Sequence, residues 1–126
     1  LESLSSDEKI STIKNLYKIG YSTIPVKDRI KNAINEPTYL MAPVSIVAVY
    51  ETYNMNTQKF EQLIHKFFGK VCLNLDIFGN DNKRYNPREW FIAPIEVIDN
   101  VIELIINGKI VNYRYDEVTE ELVYIF

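Results

Sequence analysis

The sequence predicts an α+β domain in which helices flank a small central, mainly antiparallel β-sheet and a hairpin closes the chain. Segments with strand-like and helix-like apolar spacing follow one another as strand, helix, strand, helix, hairpin, helix and hairpin, an order typical of this class. The length of 126 residues suits one domain with a substantial core. A content of 47% hydrophobic and 25% charged residues is ordinary for a globular protein. We therefore expect residues 1–126 to form a single domain.

The first half of the chain predicts two strands around one helix. Residues Asn15–Ser22 carry the apolar and aromatic side chains typical of a strand. Thr23 suits a helix cap, and Pro25 suits the first helical turn because its missing N–H has no partner there. Pro37 ends this helix, and Val44–Tyr53 is the next strand. The helix is expected to bury four residues at helical spacing: Val26, Ile30, Ala33 and Ile34.

Two further helices are predicted in the second half of the chain. Asn56 caps the first of them. Pro94 begins the second, which ends at Asn107-Gly108. The first is expected to bury Phe60, Leu63, Ile64 and Phe67, and the second to bury Ile98, Val101, Ile102 and Ile105.

Two hairpins are predicted beside these helices. A turn at residues 79–82 joins the extended segments Val71–Phe78 and Arg84–Ile92. The closing hairpin comprises Lys109–Tyr115 and Leu122–Phe126.

Several kinds of protein are excluded by what the sequence lacks. Cys72 is the only cysteine, so no internal disulfide can form. Apolar runs such as Val44–Tyr50 are far shorter than the roughly 20 residues of a membrane helix, and no signal-like segment opens the chain. Zinc-ligand spacings, a Gly-x-Ser-x-Gly motif and a phosphate-binding Gly-rich loop are absent. We therefore expect a cytoplasmic protein. We also expect that it is truncated at its N-terminus, because the chain opens at Leu1 instead of Met.

Basic charge is concentrated in the middle of the chain. Residues 9–88 contain twelve Lys or Arg against six Asp or Glu, a net charge of +6. Residues 1–8 carry −3 and residues 89–126 carry −6, which gives the total of −3. A face built from the middle section could bind a polyanion such as nucleic acid, while the overall acidity argues against strong non-specific DNA binding. On charge alone, a solvated mixed-charge surface fits equally well.

The quartet Arg88-Glu89-Trp90-Phe91 is the strongest indication of a functional site, because it sets one acid between a base and two large aromatic residues. Its structural interpretation is a strand or the start of a helix in which Trp90 and Phe91 pack inward while Glu89 sits in water. Glu61 and His65 lie four residues apart on one flank of the second helix, where Glu61 could fix one tautomer of the imidazole. Together with Lys18 and Arg29, these groups match the needs of phosphodiester cleavage: positive charge for the phosphate and a carboxylate for a hard divalent ion.

The order and spacing of these residues resemble the GIY-YIG nuclease superfamily, in the branch typified by a phage T5 open reading frame. The resemblance spans most of residues 15–106. Lys18-Ile19-Gly20 takes the place of the second signature, Tyr-Ile-Gly, since this branch commonly has Lys there. Tyr17 then neighbours the signature. The first signature, whose tyrosine is a leading candidate for the general base in the family, has no counterpart in this sequence, and we expect it immediately upstream of Leu1.

The resemblance implies a metal-dependent endonuclease domain that hydrolyses DNA phosphodiester bonds with Mg²⁺ or Mn²⁺ and forms part of a larger protein. It implies catalytic roles for Lys18, Arg29, His65 and Glu89, with Glu89 as the metal ligand. The residues expected to contact the substrate are Tyr17, Ser22 and Arg88. The alternative is a non-catalytic module on the same scaffold that binds nucleic acid or protein, because a fold does not guarantee its chemistry.

Overall fold

The computed structural model describes residues 1–53 and 55–125 and has the predicted α+β architecture. All strand pairs in the described residues are antiparallel. The helices are α1 (Glu8–Ser11), α2 (Val26–Arg29), α3 (Thr57–Phe67) and α4 (Ile95–Ile106). The strands are β1 (Glu2–Ser3), β2 (Leu16–Lys18), β3 (Val44–Ser45), β4 (Ile77–Phe78), β5 (Arg84–Tyr85), β6 (Trp90–Ile92), β7 (Tyr113–Asp116) and β8 (Glu121–Tyr124). Short 3-10 turns occupy Ala33–Asn35, Pro37–Tyr39, Gly69–Val71 and Lys109–Asn112.

The centre of the domain is the pairing of β2 with β6, in which Lys18 lies opposite Trp90. On one side, Lys18 exchanges two backbone hydrogen bonds with Leu1, at 2.8 and 3.1 Å. On the other side, the Leu73 amide donates to the Trp90 carbonyl at 2.8 Å. Strand β2 is shorter than the predicted Asn15–Ser22, since Asn15 takes a left-handed conformation with φ of 57°. The sheet therefore consists of short antiparallel pairs instead of one long ladder.

Helices α3 and α4 form as predicted and cover one side of this centre. The Asn56 side chain caps α3 by accepting from the Lys59 amide at 3.1 Å. In α4 the residues Ile98, Val101 and Ile102 are buried, and Ile105 packs against them. In α3, however, the prediction that Leu63 is buried was wrong, because its side chain is 43% exposed. Phe68 is buried instead, since the core face of α3 follows positions 64 and 68 and meets Phe91 and Tyr115.

The segment after Pro25 differs from the predicted helix. It forms only the single turn of α2, which has no side-chain cap, and then continues through two 3-10 turns. Ser22, not Thr23, organises the entry, since its hydroxyl accepts from the Ile24 amide at 3.2 Å and donates to the Ile24 carbonyl at 2.8 Å. Of the predicted apolar stripe, Ala33 is buried but Ile34 is 55% exposed.

The predicted strand Val44–Tyr53 is reduced to the two residues of β3. Strand β1 pairs with those two residues, but no strand in the described chain pairs with residues 46–53. Alternating apolar side chains are not enough to make a strand when no neighbour supplies a ladder of hydrogen bonds. Most of this segment is consequently irregular and exposed.

Both predicted hairpins are present, with shorter strands than expected. Strands β4 and β5 pair around the turn at residues 79–82. An isolated antiparallel bridge also pairs Cys72 with Phe91 of β6. In the closing hairpin, residues 109–112 form a 3-10 turn before β7, and β7 pairs with β8 along four residues. Phe126, the predicted end of this hairpin, lies outside the described residues. Across residues 1–53 and 55–125, no helix combines the length and apolarity needed to span a membrane.

The buried face of α4 yields a direct test of the core. Ile98 is 4% exposed and Ile106, at the end of the same helix, is 61% exposed. We expect Ile98→Ala to lower the free energy of unfolding by about 2–5 kcal/mol through lost burial and a residual cavity. The matched variant Ile106→Ala should change it by about 0.5 kcal/mol or less. Urea unfolding followed by circular dichroism measures both, and equal effects would contradict this packing of α4.

Candidate functional site

The β2–β6 pairing brings Lys18 and Glu89 together. The Ile19 amide donates to the Glu89 carbonyl at 3.0 Å, which carries the ladder one step beyond Lys18 and Trp90. At this register the Lys18 Nζ lies 3.2 Å from the Glu89 Oε2. The Lys18 side chain is 7% exposed and that of Glu89 is 35% exposed, so the lysine is enclosed while the carboxylate reaches solvent. Among residues 1–53 and 55–125, Lys18 is the one buried charged residue.

The Glu89 carboxylate is held in its ionised form. Burial raises its pKa, but the charge of Lys18, hydrogen bonds from Thr38 and Lys18 and the neighbouring His65 together bring the pKa below the ordinary value of 4.5. The Thr38 hydroxyl donates to Oε2 at 2.9 Å, the same oxygen that faces Lys18. The other oxygen, Oε1, has no protein partner among the described residues. An anionic, partly exposed oxygen is therefore available at this position.

The turn Pro37–Tyr39 supplies Thr38 and is held in place by a hydrogen bond from Trp90. The buried Trp90 indole donates from Nε1 to the Thr38 carbonyl at 2.9 Å. The turn is followed by Leu40 and Met41, which both have left-handed backbones with φ of 60° and 54°. Two such residues in succession are costly, so they indicate a chain path imposed by its surroundings. Trp90 and Phe91 are 0% and 1% exposed, which confirms the expectation that they pack inward.

Arg29 reaches the same place from the end of α2. Its guanidinium carbon lies 5.4 Å from the centre of the Tyr39 ring, and the Lys18 Nζ lies 5.1 Å from the same centre. Arg29 also forms an ion pair with Glu36, at 3.7 Å between Nη1 and Oε1. Two cations, each with its own carboxylate, thus flank one aromatic ring.

Helix α3 holds the chain that follows β2. The His65 Nε2 lies 2.7 Å from the Ile19 carbonyl, which can only accept, so this nitrogen carries the hydrogen. The imidazole also packs against the Phe91 ring, with centres 5.0 Å apart. Glu61 accepts from the Tyr21 amide at 2.9 Å instead of holding His65, contrary to the pairing expected from their helical spacing. Both side chains therefore fix the segment from Ile19 to Tyr21.

A cavity of about 590 Å³ opens beside these residues. Four of the predicted site residues line it, together with Tyr39: Tyr17, Lys18, Ser22 and Arg29. Glu89 and His65 are not part of its lining and adjoin it through Lys18 and Ile19. Arg88 also lies outside the lining, and its Nη1 approaches the Leu73 carbonyl at 3.5 Å. The structure thus brings six of the seven predicted site residues into one region and leaves Arg88 apart.

The described residues offer few side-chain ligands for a metal ion at Glu89. No group of three His, Cys, Asp or Glu side chains suited to a metal occurs in residues 1–53 and 55–125. One ionised carboxylate with a free oxygen is nevertheless compatible with Mg²⁺, which usually keeps several waters and takes substrate phosphate oxygens as ligands.

Sequence reasoning missed Thr38 and Tyr39. Both lie about fifty residues from Glu89 in the chain, in a turn that contains no recognisable motif. The only local signal is Pro37, which marks the end of a helix but not the direction of the side chains that follow.

The ion pair determines how the Glu89 carboxyl titrates. In Lys18→Met we expect the pKa of Glu89 to rise, because burial then acts without the opposing charge. In the wild type, Glu89 contributes stability above its ordinary pKa of 4.5 that is lost as pH falls through its lower folded pKa. Removal of the Lys18 charge therefore reduces this contribution, and the stability of Lys18→Met should fall less than that of the wild type as pH falls through this range.

Carboxyl ¹³C shifts followed against pH measure this change. Lys70→Met, at an exposed lysine, is the matched control and should leave the Glu89 titration unchanged. An unchanged Glu89 pKa in Lys18→Met would contradict the ion pair.

Similarity to known proteins identifies the family of this chain. Uncharacterized protein YeeC of Bacillus subtilis (strain 168) is 48% identical over 106 residues, which cover 84% of this chain and 28% of that protein. The chain thus spans little more than a quarter of the relative it matches. No solved structure matches this chain. Residues 4–106, which include the site from Lys18 to Glu89, match the family model described as the T5orf172 domain, and the chain therefore belongs to the T5orf172 domain family.

Proposed function

We propose that this domain is a metal-dependent endonuclease that hydrolyses phosphodiester bonds of DNA. The observation that carries the proposal is the enclosed Lys18, which joins an ionised, partly exposed Glu89 to a cavity that Arg29 also lines. Buried charges are costly and are often retained for function. Membership of the T5orf172 family and the resemblance of the site residues to GIY-YIG nucleases point to the same reaction.

Lys18 and Arg29 supply the positive charge that a phosphodiester needs. The Arg29 side chain is 42% exposed, so its guanidinium can present planar donors to phosphate oxygens. Lys18 is nearly enclosed, and its charge therefore acts with little solvent screening. Fixed positive charge near a phosphate favours the transition state of in-line displacement.

Glu89 is the proposed ligand of Mg²⁺ or Mn²⁺. Its Oε2 is occupied by Lys18 and Thr38, which orients the carboxylate and leaves Oε1 for the ion. A bound ion of this kind stabilises charge on the phosphate and on the leaving oxygen. Thr38 thus acts as the group that aligns the ligand.

His65 acts on the site through the backbone in this proposal. Its Nε2 donates to the Ile19 carbonyl and so fixes the chain between Lys18 and Gly20. A direct catalytic role of His65, implied by the resemblance, stays a prediction.

Tyr17 and Ser22 line the cavity and are the proposed contacts for DNA. Arg88 is exposed and separate from the cavity, so a substrate role for it requires a DNA path that extends beyond this region. The match covers 28% of YeeC, so we include further domains of a longer protein in the proposal. A cytoplasmic location stays a prediction.

A module that binds nucleic acid or protein without cleaving is the second candidate. The observation that favours it is the sparse set of metal ligands, since no carboxylate or His cluster accompanies Glu89 in the described part of the chain. The two candidates predict different results for the wild type and for a variant without the Glu89 charge. A nuclease cleaves DNA and loses this activity in the variant, whereas a binding module cleaves DNA in neither form.

Nicking of supercoiled plasmid in Mg²⁺ or Mn²⁺ tests the proposal. We expect Glu89→Gln, which keeps the side-chain size, to lower the nicking rate at least about a hundredfold because the metal ligand is lost. Its affinity for DNA in EDTA should stay near that of the wild type. Glu103→Gln, at an exposed position of α4, is the matched control and should keep full activity.

The assay should use both this chain and the longest natural chain that contains it. DNA binding by well-folded wild type with no metal-dependent nicking in either chain would support the binding module instead. Equal activity of Glu89→Gln and the wild type would remove Glu89 from the reaction.

A further inference from the structure

Tyr39 is a buried residue whose ring meets both cations of the proposed site. It is 2% exposed, and its ring centre lies 5.1 Å from the Lys18 Nζ and 5.4 Å from the Arg29 guanidinium carbon. At such distances the negative face of an aromatic ring attracts a cation. Each contact alone is common in proteins. At Tyr39, two cations from different parts of the chain meet one ring.

The position of this ring is fixed by its turn. The preceding residue, Thr38, makes two hydrogen bonds. Its carbonyl accepts from the Trp90 indole, and its hydroxyl donates to the Glu89 carboxylate. Tyr39 therefore belongs to the same rigid unit as the proposed metal ligand. Movement of the ring would also disturb the orientation of Glu89.

The charges around the ring are balanced in pairs. Lys18 faces Glu89 at 3.2 Å and Arg29 faces Glu36 at 3.7 Å. Burial, together with Glu36 and Glu89, raises the pKa of the Tyr39 phenol above its ordinary 10.0 in spite of the opposing Arg29. The phenol thus stays neutral at physiological pH, which excludes a tyrosinate as the partner of the two cations and leaves the ring face.

We propose that Tyr39 is a positioning residue whose ring holds the Lys18 ammonium and the Arg29 guanidinium in the arrangement that receives a phosphate. This role rests on the proposed function of the same site. Without the ring, the Lys18 and Arg29 side chains would move apart, because the two positive charges repel each other and each is attracted to a different carboxylate, Glu89 or Glu36. The phosphate would then be bound by a single cation at a time.

Nuclear magnetic resonance tests the contacts without relying on activity. Protons on the Lys18 and Arg29 side-chain ends should show ring-current shifts in the wild type and in Tyr39→Phe, which keeps the ring. The shifts should vanish in Tyr39→Leu. Shifts that persist in Tyr39→Leu, or that are absent from the wild type, would overturn the proposal.

Plasmid nicking and DNA binding in EDTA measure the consequence. Tyr39→Phe should stay close to the wild type, whereas Tyr39→Leu should lose about five- to thirty-fold in nicking rate and weaken DNA binding. The matched control is Tyr115 of the closing hairpin, which is 9% exposed and packs against Phe68. Tyr115→Leu should leave nicking by the folded fraction unchanged, with thermal unfolding recorded for every variant.

The outcomes separate the two proposals. If the wild type does not nick DNA, the nuclease proposal fails, while the ring-current shifts and the DNA affinities still decide the role of Tyr39. If Tyr39→Phe is as impaired as Tyr39→Leu, the hydroxyl and not the ring is what matters, and the positioning role is overturned. The same holds if Tyr115→Leu reduces nicking as much as Tyr39→Leu.

Discussion

The antiparallel pairing of β2 with β6 is the constraint on which the rest of the structure depends. It joins two short strands that are far apart in sequence, and it places Lys18 beside Trp90 and Ile19 beside Glu89. Trp90 and Phe91 are buried on opposite faces of β6, and Glu89, at the start of this strand, lies close enough to the end of β2 for its carboxylate to meet the Lys18 ammonium at 3.2 Å. Burial of Trp90 and the position of Glu89 are thus two effects of one register.

The site also depends on a second long-range link, through the turn Pro37–Tyr39. Trp90 holds this turn by its indole, and the turn in return supplies a hydroxyl to Glu89 and a ring to the two cations. The enclosed Lys18 would be costly if it stood alone. Here it has a carboxylate on one side and an aromatic face on the other, so the core can retain a charge next to an open cavity. The fold is accordingly organised around this lysine as much as around its apolar clusters.

Local patterns in the sequence predicted the elements that are stabilised by their own residues. The cap at Asn56 and the apolar face of α4 are examples, because a helix makes its hydrogen bonds within itself. The segment Val44–Tyr53 could not be predicted in the same way, since a strand requires a neighbour that the pattern does not reveal. Helix α1 was missed although Asp7 is an ordinary cap for it, with its side chain accepting from the Lys9 amide. For the site, motif spacing predicted Lys18, Arg29 and Glu89, but the contacts of Thr38 and Tyr39 follow only from the three-dimensional path of the chain.

The most direct measurement of the central claim is the location of a bound Mn²⁺ ion in the domain with a short DNA duplex. Paramagnetic broadening of backbone amide signals reports the distance of each residue from the ion. The account predicts that broadening is strongest around Glu89, Thr38 and Ile19 and that it disappears in Glu89→Gln. Broadening centred instead on the acidic hairpin at residues 116–121, or spread over the surface without a centre, would contradict a metal site at Glu89.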